Sequence, residues 1–163
     1  MENQNLKKTP KGFFQSLNVI YLGLLSGMIL LPIFFFFIVE SKNFNFDLGN
    51  ILLVILLLLA IAGVFVSNIL YTKSVAKIEN GDSLKEKLQK IQGAMIVKYF
   101  AVELPALIGA VLFMRDGNYV YLIVTSALIL VFITLKPNKE RILDDMKLTP
   151  EQRQQMSKED QPI

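Results

Sequence analysis

The stretch FAVELPALIGAVLF, residues 100–113, is apolar enough to lie inside a lipid bilayer, yet it carries Glu103 near its middle and Pro105 two residues later. A charged side chain at the centre of a membrane helix costs about 2.5–3.5 kcal/mol on insertion scales. The ten Leu, Ile, Val and Phe residues between positions 96 and 114 favour insertion by about 3–6 kcal/mol in total. The segment is therefore a marginal membrane helix, which we expect to depend on neighbouring helices.

The composition of the whole chain indicates a membrane protein. Of its 163 residues, 53% are hydrophobic and only 19% are charged, and the mean hydropathy is +0.46. Four segments are long enough, or nearly so, to cross about 30 Å of hydrocarbon: residues 17–39, 51–70, 95–114 and 119–135. We predict an all-α, polytopic protein with four transmembrane helices in two hairpins. Residues 1–163 form one membrane domain, in which residues 136–163 are a cytoplasmic helical tail.

The residue types that are missing exclude several classes of chemistry. The chain has no histidine and no cysteine, which removes the usual general base, the commonest metal ligand and thiolate chemistry. Glu103 is the only carboxylic acid within the four predicted spans, so no second carboxyl shares acid and base roles with it. We therefore predict that the protein is not an enzyme and has neither a cofactor nor a resident metal site.

The distribution of basic residues predicts the orientation. Of the 17 Lys and Arg residues, only Lys42 and Arg115 lie in the first and third loops between the predicted helices. Because cytoplasmic loops carry the excess of Lys and Arg, both termini and the middle loop should be cytoplasmic. Lys98, just inside the third helix, is expected to extend to that surface. The predicted location is the bacterial inner membrane, with lipid as the surroundings and no nucleic-acid partner.

The cytoplasmic segments contain patterns typical of short amphipathic helices. Ser83 and Glu86 form a capping-box pattern that begins the first of them. Its apolar face consists of Leu84, Leu88 and Ile91. In the tail, Pro137 suits the first turn of one helix, and Thr149 with Pro150 begins another. We expect these helices to rest on the cytoplasmic lipid surface, with docking to a protein partner as the alternative, and disorder beyond about residue 157.

The side of the helix on which Glu103 lies is predicted to face other helices. Ala106 and Ala110 share that side, and small residues at this spacing mark close helix contacts. Tyr99, one turn earlier, is placed to hydrogen-bond the carboxyl group or to lead water to it. The glycines expected to pack against neighbouring helices are Gly23, Gly27 and Gly63.

Depth along the helices predicts partners for the carboxyl group. Counted from the cytoplasmic boundary, Ser26 and Ser126 lie at about the level of Glu103, so we predict that they hydrogen-bond it in a polar layer. No Lys or Arg within the spans is placed to act as a counter-ion, and we expect the resting acid to be protonated. When ionised, it could hold a small cation together with the carbonyl of Ala101, which Pro105 leaves without a helical donor.

The sequence ELPALIG, residues 103–109, resembles the carboxylate-bearing helix of rotary ATPase proteolipids, the c and K subunits. In those proteins a membrane-embedded Glu precedes an apolar, often proline-containing run and a glycine six places on. The resemblance implies that Glu103 carries a proton or a sodium ion. In layout and composition, the chain resembles small uncharacterised four-helix membrane proteins of bacteria.

Two functions are compatible with these features. The first is a small accessory or scaffold subunit of a larger inner-membrane assembly, whose partners are other membrane proteins or further copies of the chain. The second is proton or sodium translocation, or sensing, through Glu103 in an oligomer. An intramembrane carboxyl is a functional site by default, but a neutral one can also act only by packing helices together.

Overall fold

The computed structural model describes residues 9–158, which fold into six helices without a β-strand. The helices are α1 (Pro10–Ile38), α2 (Ile51–Ala76), α3 (Leu84–Asp116), α4 (Tyr119–Thr134), α5 (Lys139–Asp145) and α6 (Pro150–Ser157). The all-α prediction is confirmed for this part of the chain. The disorder predicted beyond residue 157 falls, apart from Lys158, outside the described residues.

Three helices, α1, α2 and α3, are long and apolar enough to cross a membrane. The fourth predicted span corresponds to α4, which has 16 residues and is about 24 Å long. It is long and apolar enough for a span only when it is joined to α5, and the axes of the two helices differ by 73° at the break between them. The apolar helices indicate a membrane-embedded protein with three candidate spans.

The helix α3 is longer than the sequence predicts. The capping box at its start is confirmed: the Ser83 N–H donates to Glu86 Oε2 over 2.8 Å, and the Glu86 N–H donates to Ser83 Oγ over 3.3 Å. The helix that begins here continues for 33 residues, so the prediction of a separate surface helix was wrong. Gly93 is the only residue near the expected break that disfavours helix, and one glycine costs only about 1 kcal/mol.

The same helix forms the centre of the fold. It packs against α1, α2 and α4, and half of the residues in its apolar window are buried, compared with 17% in α1 and in α2. At about 50 Å, α3 is also longer than the hydrocarbon core of a bilayer. Its first turns bind the C-terminal segment, through Lys87 and the buried cluster around Leu84, Leu88 and Ile91.

The tail packs on the protein itself, which is a second correction. Leu84, Leu88 and Ile91, the face expected to lie on lipid, are 6%, 8% and 0% exposed. They belong to one buried cluster together with Ile142 and Met156 of the tail. The start of α6 is as predicted, since Thr149 caps it and Pro150 follows. For α5, however, the cap is Asn138, so Pro137 lies before the helix and not in its first turn.

Lys87 anchors this tail. Its side chain is fully buried, and its ammonium donates to the carbonyl of Lys147 over 2.8 Å and to Gln152 Oε1 over 3.0 Å. Gln152 also donates to the carbonyl of Asp82 over 3.0 Å. Asp82 in turn accepts from Lys90 over 2.6 Å, and that hydrogen bond holds the pKa of the Asp82 carboxyl below its usual range. The tail, α3 and the α2–α3 loop therefore form one hydrogen-bonded unit.

At the opposite end, the first loop pairs with the turn between α3 and α4. The Asn43 N–H donates to the Gly117 carbonyl over 3.0 Å, and the Tyr119 N–H donates to the Asn43 carbonyl over 2.9 Å. Gly117 has a φ of +64°, and a Cβ there would lie 2.0 Å from the Ser41 carbonyl oxygen. A glycine is therefore required at this turn both by its left-handed conformation and by the closeness of the loop.

We predict that Lys87→Ala destabilises the C-terminal segment by about 1.5–3 kcal/mol, the range for hydrogen bonds made by a charged group. Trypsin should then cleave the purified protein faster after Arg141, Lys147 and Arg153. Lys85→Ala, which removes an exposed lysine two residues away, is the matched control and should leave the cleavage rate unchanged. Equal cleavage of the two variants would show that Lys87 does not anchor the tail.

Candidate functional site

The structure places Glu103 inside the helix bundle. Its side chain is 7% exposed, and Ala106 and Ala110 on the same side of α3 are 1% and 0% exposed. Tyr99, one turn earlier, is also fully buried. This is the orientation that the spacing of small residues predicts, so the carboxyl group faces protein and not the outer surface of the helices.

Two polar atoms in this region are buried without a hydrogen-bond partner among residues 9–158: the Tyr99 hydroxyl and Glu103 Oε2. A buried polar atom without a partner costs about 1–3 kcal/mol, and such atoms are few in folded proteins. Both lie on one side of α3, one helical turn apart. Together they give the interior of the bundle unused hydrogen-bonding capacity for a proton, a water molecule or an ion.

Aromatic rings surround Tyr99. The centroid of its ring lies 5.7 Å from that of Tyr21 in α1 and 5.4 Å from that of Phe132 in α4. Tyr21 and Phe132 are themselves stacked at 5.4 Å, and the Tyr21 hydroxyl donates to the Ile133 carbonyl over 3.2 Å. These rings pack against Tyr99 from α1 and α4. The sequence indicates only that each of these apolar helices contains aromatic residues.

The two predicted serine partners do not lie beside the carboxyl group. Ser26 is exposed on α1 and donates to the Leu22 carbonyl over 2.7 Å. Ser126 is also exposed and lies in an apolar groove between α1 and α4. The buried hydroxyl of α4 is instead that of Thr125, 1% exposed, which donates to the Ala106 carbonyl over 3.2 Å. Depth along a helix gives no information about which way a side chain points.

A glycine lets α2 pack closely against α3 near Pro105. A Cβ on Gly63 would lie 2.3 Å from the Ala101 carbonyl oxygen and 3.0 Å from Cγ of Pro105. The Ala101 carbonyl is the one that Pro105 leaves without a helical donor. Gly63 therefore permits α2 to cover this carbonyl directly, as the sequence predicts for a packing residue.

A second close glycine contact joins α3 to α4. A Cβ on Gly109 would lie 2.4 Å from Thr125 Oγ1 and 3.3 Å from the Tyr121 carbonyl oxygen. Its role in packing was not predicted. In contrast, a Cβ on Gly23 or on Gly27 would meet nothing within 4 Å, so neither of these α1 glycines makes the predicted contact with another helix among residues 9–158.

Lys98 does not extend to solvent as predicted. It is 7% exposed, and its ammonium lies 4.6 Å from the centre of the Tyr71 ring. For metal ligation, no group of three or more Asp, Glu, His or Cys side chains converges within the described residues. A cation at Glu103 would therefore take most of its ligands from backbone carbonyls and hydroxyls.

Comparison of the chain with protein-family models, with curated proteins and with solved structures found no match.

We predict that Gly63→Ala destabilises the bundle by about 1–3 kcal/mol, because the added methyl group collides with the backbone of α3. Gly93→Ala is the matched control, since Gly93 is helical and a Cβ there meets nothing within 4 Å. That substitution should be neutral or stabilise by up to about 1 kcal/mol. Unfolding of each variant in mixed detergent micelles measures both values, and equal stabilities would contradict the close approach of α2 to α3.

Proposed function

We propose that the protein is a small integral membrane accessory or scaffold subunit, which associates with another membrane protein or with its own copies. The observation that carries this proposal is the outward face of α1. Gly23, Ser26 and Gly27 are exposed there, and the space above both glycines is empty. Small residues at this spacing let a second helix approach closely, so such a face is typical of helix docking in membranes.

A four-span topology in the bacterial inner membrane, with both termini cytoplasmic, is part of the proposal. The lysine-rich segments meet at one end of the bundle, where Lys87 binds the tail and Lys139 lies 5.7 Å from the ring centre of Phe14. The loops poor in basic residues meet at the other end through Asn43 and Asn118. This sorting supports the orientation given by the excess of Lys and Arg. A short α4 can span if the bilayer thins locally.

Association is tested with the protein extracted from its native membranes together with the surrounding lipid. We predict a particle larger than a single chain of 18.5 kDa. The additional mass is either a stoichiometric partner or further copies of the chain. Gly27→Leu should reduce it to the monomer because the new side chain fills the docking face. Gly93→Leu places the same bulk on an exposed position of α3 and should leave the particle intact.

The mass of each particle, measured by light scattering, with its components identified by mass spectrometry, decides the outcome. A wild-type protein that is monomeric in its own lipid would overturn the accessory function. A complex that survives Gly27→Leu would instead overturn the assignment of the docking face to α1.

A second candidate function is proton or sodium handling through Glu103. It is favoured by the buried carboxyl oxygen and the buried Tyr99 hydroxyl, neither of which has a partner among residues 9–158. A permanently packed, structural acid would be expected to have its hydrogen bonds satisfied. An acid that takes up and releases an ion instead keeps part of its bonding capacity available.

We predict that Glu103→Gln reduces proton or sodium flux through proteoliposomes to the level of protein-free liposomes, since glutamine keeps hydrogen bonding but cannot titrate. Glu40→Gln, which changes an exposed acid, is the control and should conduct as the parent protein does. Particle size, measured on the same samples, separates lost transport from lost assembly. Unchanged flux in Glu103→Gln would rule out carriage by this residue.

A further inference from the structure

A polar pocket lies where the end of α2, the middle of α3, the end of α4 and the start of α5 meet. Its volume is about 240 Å³. The polar side chains that line it are those of Tyr71, Lys98, Thr134, Lys136, Asn138 and Arg141. The pocket is separate from Glu103 and from the small-residue face of α1, so neither proposed function uses it.

The lining is strongly positive. Lys98, Lys136 and Arg141 contribute three cationic side chains, and no carboxylate is among the lining residues. Across residues 9–158, none of these three cations has a carboxylate within salt-bridge distance. Asp145 lies beside the pocket, where Oδ2 accepts a hydrogen bond from the Tyr71 hydroxyl over 2.5 Å. One neighbouring carboxylate against three cations leaves the pocket with a net positive charge.

The buried lysine is the strongest indication of a ligand. Lys98 is 7% exposed, and its ammonium has the face of the Tyr71 ring 4.6 Å away as its contact. An ammonium group has three N–H donors, and a ring face satisfies only part of that capacity. Arg141 and Asp145 both lie close enough to act on Lys98, with opposite signs, so the single carboxylate compensates only part of the positive charge. An anion in the pocket would stabilise both cations at once.

The shape of the lining indicates the kind of anion. Arg141 presents the planar guanidinium that binds the oxygens of phosphate in pairs. The side-chain oxygen of Asn138 accepts from the backbone N–H of Arg141 over 3.2 Å, which leaves the Asn138 NH₂ group available as a donor. Lys98 and Lys136 add two further positive charges to the lining. A compact group with several oxygens and net negative charge matches these donors better than a single carboxylate.

We infer that this pocket binds an anionic phosphate group. Basic pockets between membrane helices bind the headgroups of anionic lipids, and Met95 and Leu135 line the same pocket, so an apolar surface adjoins the charged one. Free phosphate carries the same chemistry and is the other source. In either case the bound anion joins α3 to α5, and so secures the C-terminal segment at a point separate from the Lys87 anchor.

The test uses the full chain in nanodiscs and four proteins: the parent, Arg141→Gln, Lys98→Met and Lys73→Gln. Lys73 is an exposed lysine in α2 that does not line the pocket, so it controls for the loss of one positive charge. Native mass spectrometry measures retention of phosphatidylglycerol, and calorimetry measures binding of inorganic phosphate in discs of phosphatidylcholine. Arg141 is exposed, so we expect Arg141→Gln to fold. This variant therefore tests phosphate binding even if Lys98→Met fails to fold.

We predict that Arg141→Gln and Lys98→Met weaken binding by about tenfold or more, as the loss of a charged hydrogen bond implies, whereas Lys73→Gln binds as the parent does. Retention of phosphatidylglycerol with no uptake of inorganic phosphate identifies a lipid headgroup as the source, and the reverse identifies free phosphate. The inference is overturned if Arg141→Gln binds both probes as tightly as Lys73→Gln. It is also overturned if oleate, an anion without phosphate, binds the parent as tightly as phosphatidylglycerol.

Discussion

The structure depends on one constraint, which is that the polar side of α3 must be kept away from lipid. This helix carries Lys98, Tyr99 and Glu103 in its middle, all less than 10% exposed. Such groups are expensive in hydrocarbon, so the helix is stable only when other helices cover that side. The more apolar helices α1, α2 and α4 do so, and each leaves much of its own surface exposed. The least apolar of the four long helices, α3, is therefore also the most buried.

The covering is achieved by close backbone contact as much as by large side chains. Gly63 lets α2 lie on the carbonyl that Pro105 leaves without a donor, and Gly109 lets α4 approach until Thr125 meets the backbone of α3. Small residues serve this purpose well in membranes because packing, and not the exclusion of water, holds helices together there. The result is a buried polar group, Glu103, of which one carboxyl oxygen has no partner within the described chain.

The two ends of the bundle are fastened by different means. At one end, Lys87 and its hydrogen bonds tie the C-terminal helices to α3, and the cationic pocket around Lys98 lies nearby on the same helix. At the other end, main-chain hydrogen bonds between the first loop and the α3–α4 turn require a glycine at position 117. The single helix α3 therefore carries residues of the tail anchor, the cationic pocket, the buried acid and the turn.

The sequence by itself determined the local features of this protein. Hydropathy over long windows predicts three of the apolar helices, capping residues place the starts of α3 and α6, and the spacing of Ala106 and Ala110 gives the direction in which Glu103 points. Only the tertiary structure decided that Ser26 and Ser126 face outward, that Thr125 faces inward, and that the apolar face beginning at Leu84 is covered by the tail. The reason is physical: caps and hydropathy act over a few neighbouring residues. The rotation of each helix about its own axis, and the packing of the C-terminal tail on α3, depend on contacts between residues far apart in the chain.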